Sequence, residues 1–311
     1  MHKISLINPL LNTAGADRAA IYQMYRETGI DGLDYSLFAL TEKNGYEPKM
    51  FEKSSEEIIE TVLKKDKALL DSYGLEVCQT HSPFPVWRYG EDEKNKYRLL
   101  ESLRCIELTA YLGCRYVIIH PITESFRYSP AELRERNLEF YSQLIDTAKK
   151  NNVIICLENM WNSRNGNIFE CTCEDPYETN DYIDTLNKMA GEEIFGFCFD
   201  VGHATLCGKY MKNTLIALGD RVKALHIHDA GKLNDLHTLP YSQCNASGNA
   251  PFTDWTGMLD GLRAISYKGA INFEAGNAFN VFPAYTHKAL LGLFRAIGEY
   301  FSNEITGETS L

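Results

Sequence analysis

No apolar run in the sequence approaches the ~20 residues that a membrane-crossing helix requires. The opening MHKISLINPL also lacks the long apolar stretch of a signal peptide. A membrane role is therefore not expected, and the cytoplasm is the expected compartment. Paired cysteine spacing is missing as well: the nine cysteines are odd in number and scattered, several inside apolar segments such as VIICLEN and FGFCFD. They read as buried thiols in a reducing compartment. Cys171 and Cys173 form the one close pair, and C-x-C without a second pair reads as ordinary loop cysteines rather than a zinc site. Positive charge is in deficit, with 31 Lys and Arg against 42 Asp and Glu and a formal net charge of −11. Such a field repels polyanions, so nucleic acid is a disfavoured partner. No G-x-G-x-x-G follows the first apolar segment, which removes the main support for a dinucleotide-binding sheet. No Pro-, Gly- or Ser-rich linker and no low-complexity tract marks a boundary, so residues 1–311 are expected to form one domain.

What is present is an alternation. Strand-length apolar segments occur at 3–8, 32–37, 75–81, 116–121, 153–159, 195–200, 222–229 and 270–276, separated by segments of helical period. SSEEIIETVLKKDKALLDSYG opens on a serine cap, carries acids in its first turn and stops at Gly74. SPAELRERNLEFYSQLIDTAKKNN begins with Ser129 and Pro130 and places Leu133, Leu138, Tyr141, Leu144 and Ile145 at helical spacing. Helices are also expected in PFTDWTGMLDGLRAI and FPAYTHKALLGLFRAIGEYF. Strand–helix alternation demands parallel pairing, and a parallel sheet is buried on both faces, which explains near-continuous apolar strands. Eight βα units in 311 residues predict an α/β chain folded as a (β/α)8 TIM barrel. Two connections, 160–180 and 230–251, are longer than the rest and fall on the C-terminal face, where barrels build their sites.

The strand ends carry the chemistry. The third segment ends at His81, the fourth at His120, the fifth at Glu158, the sixth at Asp200 with His203, the seventh at His226 and His228 with Asp229, and the eighth at Glu274. Each alone is compatible with a structural role. Together, several carboxylates at one barrel mouth repel one another unless a cation or a proton lies between them, and a divalent metal satisfies that requirement.

CLEN with Glu158, FDVGHA with Asp200 and His203, LHIHD with His226 and NFEAG with Glu274 together resemble the sugar isomerase/epimerase superfamily of xylose-isomerase-like barrels, which includes the endonuclease IV family. The resemblance runs strand by strand along essentially the whole chain. It implies one divalent metal held by Glu158, Asp200, His226 and Glu274, a hard, oxygen-rich set suited to Mn²⁺, Mg²⁺ or Zn²⁺. It further implies isomerisation or epimerisation of a sugar, sugar phosphate or cyclic polyol through a metal-stabilised enediolate, with Glu158 and Glu274 as the catalytic proton-transfer pair. His203 is expected to hydrogen-bond a substrate oxygen, and His81 and His120 to line the substrate pocket. Trp161 and Phe84 are candidates for stacking on a sugar face, and Arg164 and Lys232 for contacting hydroxyls or a phosphate. His228 and Asp229 are expected to orient the rim through hydrogen bonds. The partner is then a small-molecule carbohydrate, and a homo-oligomer is an open expectation because barrels of this kind commonly pair through their loops.

The rival is a three-metal AP endonuclease of the endonuclease IV kind. His81, His120 and His203, with Asp235 and His237 in LNDLHTLP, complete the nine positions that such a site uses. The net charge of −11, and YSQCNASGNAPF where a glycine-rich turn is expected of the DNA enzymes, weigh toward the sugar branch.

Overall fold

The computed structural model of the chain describes residues 1–124, 126–245 and 247–307. The apolar segments form eight parallel strands: β1 (Ile4–Leu6), β2 (Gly32–Ser36), β3 (Glu76–His81), β4 (Tyr116–Ile118), β5 (Ile154–Glu158), β6 (Phe195–Asp200), β7 (Val222–His226) and β8 (Ile271–Phe273). Each pairs with its successor from β1 to β7, and β8 pairs with β1. A parallel bridge between Ile227 and Phe273 closes the remaining side. The fold is the expected (β/α)8 barrel.

Ladder pairing reaches the rim at His81, Glu158, Asp200 and His226 but stops short of it on other strands, which are shorter than their apolar segments. His120, His228 and Glu274 lie just past the last paired residues of β4, β7 and β8. Inside the barrel the side chains change character along the axis. Ile118, Ile154, Cys156, Cys198 and Ala224 form a small apolar cluster of their own. A polar layer follows: Ser5 Oγ donates to Asn272 Oδ1 at 2.7 Å, and Gln79 Nε2 and Asn272 Nδ2 donate to Asp34 Oδ2 at 2.8 and 3.0 Å. Every member is buried, so its hydrogen bonds are obligatory.

The helices start where the caps indicate but are less continuous than their periodicity. Ser54 with Glu57 and Ser129 with Glu132 both form capping boxes. The first of these helical segments divides into Ser55–Ile58, a π-turn over Ile59–Leu63 and Lys64–Tyr73, ending at Gly74 with φ +65°. The second divides into Pro130–Ser142 and Ile145–Asn151. The last two helices span Trp255–Ala264 and His287–Thr306. Among the described residues no helix is long and apolar enough to cross a membrane.

The two long connections are more ordered than open loops. Residues 160–180 contain an antiparallel hairpin, Trp161–Arg164 with Asn167–Glu170, and then enter the helix Pro176–Ala190. Residues 230–251, of which Ala246 lies outside the described residues, are pinned by bridges Asp229–Thr238 and Cys244–Pro251.

Candidate metal centre

Four consecutive rim positions build the centre of the site. Oε2 of Glu158, at the end of β5, lies 3.2 Å from Nε2 of His120 and 3.2 Å from Nδ1 of His226. The same Nδ1 is 3.4 Å from Glu274 Oε2 and 3.9 Å from Asp200 Oδ2. One donor atom from each of Glu158, Asp200, His226 and Glu274 lies within 4.8 Å of the others. The contacts at Glu158 Oε2 and His226 Nδ1 are close but are not hydrogen bonds, and both atoms are buried without a partner. Carboxylate and imidazole atoms that converge with two of them unpartnered are what a cation site offers, and three carboxylates with one imidazole fit a divalent ion.

Two further groups flank this centre. His81 donates from Nδ1 to Ser82 O at 2.8 Å, which leaves its Nε2 3.1 Å from Nε2 of His120. On the other side, Asp235 Oδ2 accepts from Nε2 of His203 and from Nε2 of His237, each at 3.1 Å. His203 also donates from Nδ1 to Asn159 O at 2.7 Å, so both of its ring nitrogens are engaged. His228 Nε2 is 3.1 Å from both carboxylate oxygens of Asp200. Six of the chain's eight histidines thus meet on one rim.

The electrostatics follow from burial set against opposite charge. Burial opposes charge on the His226 imidazole, but Cys198, Glu274 and Glu158 together hold it well above the ordinary histidine range. Burial likewise opposes ionisation of Glu158, yet His226 and His120 bring it well below the usual carboxylate value. Glu274 goes the other way, raised by burial and by Glu158 and Asp200 in spite of His226 and His237. His81 is pushed down to about 4 by burial and by neighbouring His120 and His226. His237 reaches about 10: burial opposes its charge, and Glu274 and Asp235 overcome that opposition.

A supporting layer holds these groups, and sequence reading missed most of it. His226 Nε2 donates to Asp34 Oδ2 at 3.2 Å, and Gln79 and Asn272 brace the same oxygen. Asn159 ties the ends of β5 and β6 together: its Oδ1 accepts from Asp200 N at 2.7 Å, and its Nδ2 donates to Asp200 O at 2.9 Å and to Glu174 Oε2 at 3.1 Å. Asp200 caps the short helix Val201–Leu206, accepting from His203 N at 2.6 Å. Gly202 leaves room for the His228 ring: a Cβ there would fall 1.9 Å from His228 Cε1. A polar residue inside an apolar strand, as in GLDYSL, was the available signal for Asp34. Asp229, expected to orient the rim, accepts from Thr253 Oγ1 at 2.6 Å and from Gln243 N at 2.9 Å, which tie it to the long connection after β7.

The remaining candidates divide. Phe84 stacks on His120 with ring centroids 4.5 Å apart, and Phe38 stacks on Phe84 at 5.3 Å, giving one side of the mouth an aromatic wall. Trp161 reaches the cluster with Nε1 3.4 Å from Asp235 Oδ2. Arg164 is not brought there: it is exposed on the hairpin, with its guanidinium carbon 5.3 Å from the Phe126 ring centroid. Lys232 is also exposed.

A family model described as a xylose isomerase-like TIM barrel matches residues 26–289. The uncharacterized protein MJ1311 of Methanocaldococcus jannaschii is 28% identical over 215 residues, which is 67% of this chain and 67% of that protein. Among solved structures, an L-ribulose 3-epimerase superposes with TM-score 0.71 at 16% identity, covering 99% of this chain and 97% of the other. The IOLI protein, whose structure carries a zinc atom, superposes with TM-score 0.65 at 14% identity over the whole of both chains.

Proposed function

The chain belongs to the xylose isomerase-like TIM barrel family, and on that premise we propose that it is a divalent-metal-dependent isomerase or epimerase of a sugar, sugar phosphate or cyclic polyol. The observation that carries this reading is the convergence of Glu158, Asp200, His226 and Glu274, with two buried donor atoms left without hydrogen-bond partners. The likeness to an L-ribulose 3-epimerase and to a zinc-bearing barrel supports the same reading.

Glu158, Asp200, His226 and Glu274 would hold the ion. When bound, the metal supplies a Lewis acid that polarises a carbonyl oxygen and its neighbouring hydroxyl. Glu158 enters from β5 and Glu274 from the end of β8, so a small planar substrate between them meets a carboxyl group on each face. One would remove the proton on the hydroxyl-bearing carbon next to the carbonyl, and the other would return a proton to the opposite face of that carbon or to the former carbonyl carbon. His81 and His120 offer ring nitrogens to substrate hydroxyls, and the Phe84 and Phe38 rings cover the apolar face of a sugar. His203 is available to a substrate oxygen only if its Nε2 contact with Asp235 is exchanged. The partner is a small carbohydrate and the working compartment the cytoplasm.

The test is proton exchange. In D2O, with ketopentoses, ketohexoses and their phosphates as candidates, the wild-type chain should exchange the α-proton of at least one. Glu158→Gln and Glu274→Gln should each remain folded and abolish that exchange. Full exchange in both variants overturns the assignment.

One observation favours a second reading, an AP endonuclease with three metals. His203, Asp235 and His237 form a compact group beside the centre, and His81 and His120 form another with Glu158. Cleavage of an abasic-site duplex, sensitive to Asp235→Asn, would establish it. The formal net charge of −11 weighs against it.

A further inference from the structure

At the end of the barrel opposite the rim, a cavity of about 590 Å³ opens between the starts of the strands and the turns that lead into them. Its volume is in the ordinary range for small-molecule sites, roughly 300–1,000 Å³. Its charge runs against that of the chain. Lys3, Arg115, Lys223 and Lys268 line it against only Glu76 and Asp220, in a protein of formal net charge −11. Lys3 pairs with Glu76. Among the described residues, Arg115, Lys223 and Lys268 have no carboxylate within ion-pair distance.

Cations near helix C-termini are commonly explained by the helix dipole. That accounts for Arg115 and Lys268, which are in turns after helices, but not for Lys223, which is a strand residue. The pairing of β6 with β7 shifts register here: Phe197 pairs with Val222 and Cys198 with Ala224, so Lys223 is the extra residue of a bulge. Bulges re-aim side chains. The Lys223 stem occupies the space that a side chain on Gly196 would need, its Cγ 2.5 Å from where that Cβ would be. On the other side Gly269 admits the Lys223 carbonyl, which would be 2.8 Å from a Cβ there. A bulge and the absent side chain of Gly196 thus lead one lysine to the cavity wall.

We propose that this cavity is a second ligand site, distinct from the rim, that takes a small phosphate-bearing anion on Lys223, Arg115 and Lys268. The inference rests on the cavity alone and is independent of the reaction at the rim.

The test is calorimetric titration of the full chain at constant ionic strength with two probes, inorganic phosphate and glucose 6-phosphate. Saturable binding is expected in the wild type and in Glu158→Gln. Lys223→Gln combined with Arg115→Gln should weaken it at least tenfold while leaving metal content unchanged; Lys268→Gln alone, on an exposed turn, should weaken it in the same direction. Tighter binding of the sugar phosphate identifies a phosphorylated metabolite as the ligand, and equal binding identifies free phosphate. The proposal is overturned by no saturable binding of either probe, or by binding that survives the lysine and arginine changes and disappears in Glu158→Gln, which would place the anion at the rim.

Discussion

Asp34 Oδ2 lies 3.2 Å from Nε2 of His226, and both side chains are wholly shielded from solvent. Asp34 comes from β2 and His226 from β7, so the barrel's closure, and no local sequence feature, creates the pair. By fixing the Nε2 proton it leaves Nδ1 to face Glu158 and Glu274.

Asp34→Asn therefore weakens metal binding without touching a ligand. The amide cannot accept as strongly while Gln79 and Asn272 also donate to that position, so the imidazole loses its fixed tautomer. Outer-shell changes of this kind reduce metal affinity by about 10–100-fold. Competition with a chromophoric chelator measures it, and unchanged affinity would show that Asp34 serves the barrel interior alone.

Gly202→Ala sets two effects of opposite sign against each other. Within a helix the exchange should stabilise by about 1 kcal/mol. Here the new methyl would be 1.9 Å from the buried His228 ring, and overpacking of this kind costs typically ~1–3 kcal/mol or more. The clash should win, lowering the denaturation midpoint and displacing His228 from Asp200. Gly292→Ala, in the last helix with nothing within 4 Å of the added carbon, should stabilise. Denaturant titration of both variants checks the pair, and the account fails at Gly202 if both shift the midpoint upward.

The rim was readable in advance because its chemistry stands at strand ends, where an ionisable residue interrupts an apolar run: His81, Glu158, Asp200 and His226 each close a strand. The support beneath it was not. Asn159 becomes meaningful only when β5 and β6 are neighbours across the Trp161–Glu170 hairpin, and Gly202 only when His228 arrives from β7. Local periodicity also made the helices too continuous. Ile59–Leu63 keeps its helical pattern while the backbone adopts a π-turn, because apolar spacing records which face is buried and not which carbonyl each N–H reaches.

Glu174 gives the chain a pH signature. Burial pushes its carboxyl from the ordinary 4.5 up to about 8, opposed by the Asn159 hydrogen bond. The folded state then binds a proton that the unfolded state has released. Its contribution to stability is complete below about pH 4.5 and is lost as pH rises through about 8. Glu174→Gln should flatten that decline, with little effect at pH 5 and a gain on the order of a few kcal/mol at pH 9. Parallel stability curves for the two proteins from pH 5 to 9 would count against a protonated Glu174.

The most direct test of the central claim is elemental analysis of the purified protein and four variants. About one divalent ion per chain is expected in the wild type, lost on Asp200→Asn or His226→Ala and retained on Asp235→Asn or His237→Ala. About three ions per chain, with the last two variants each losing one, or an ion that survives Asp200→Asn, would contradict a single metal held by Glu158, Asp200, His226 and Glu274.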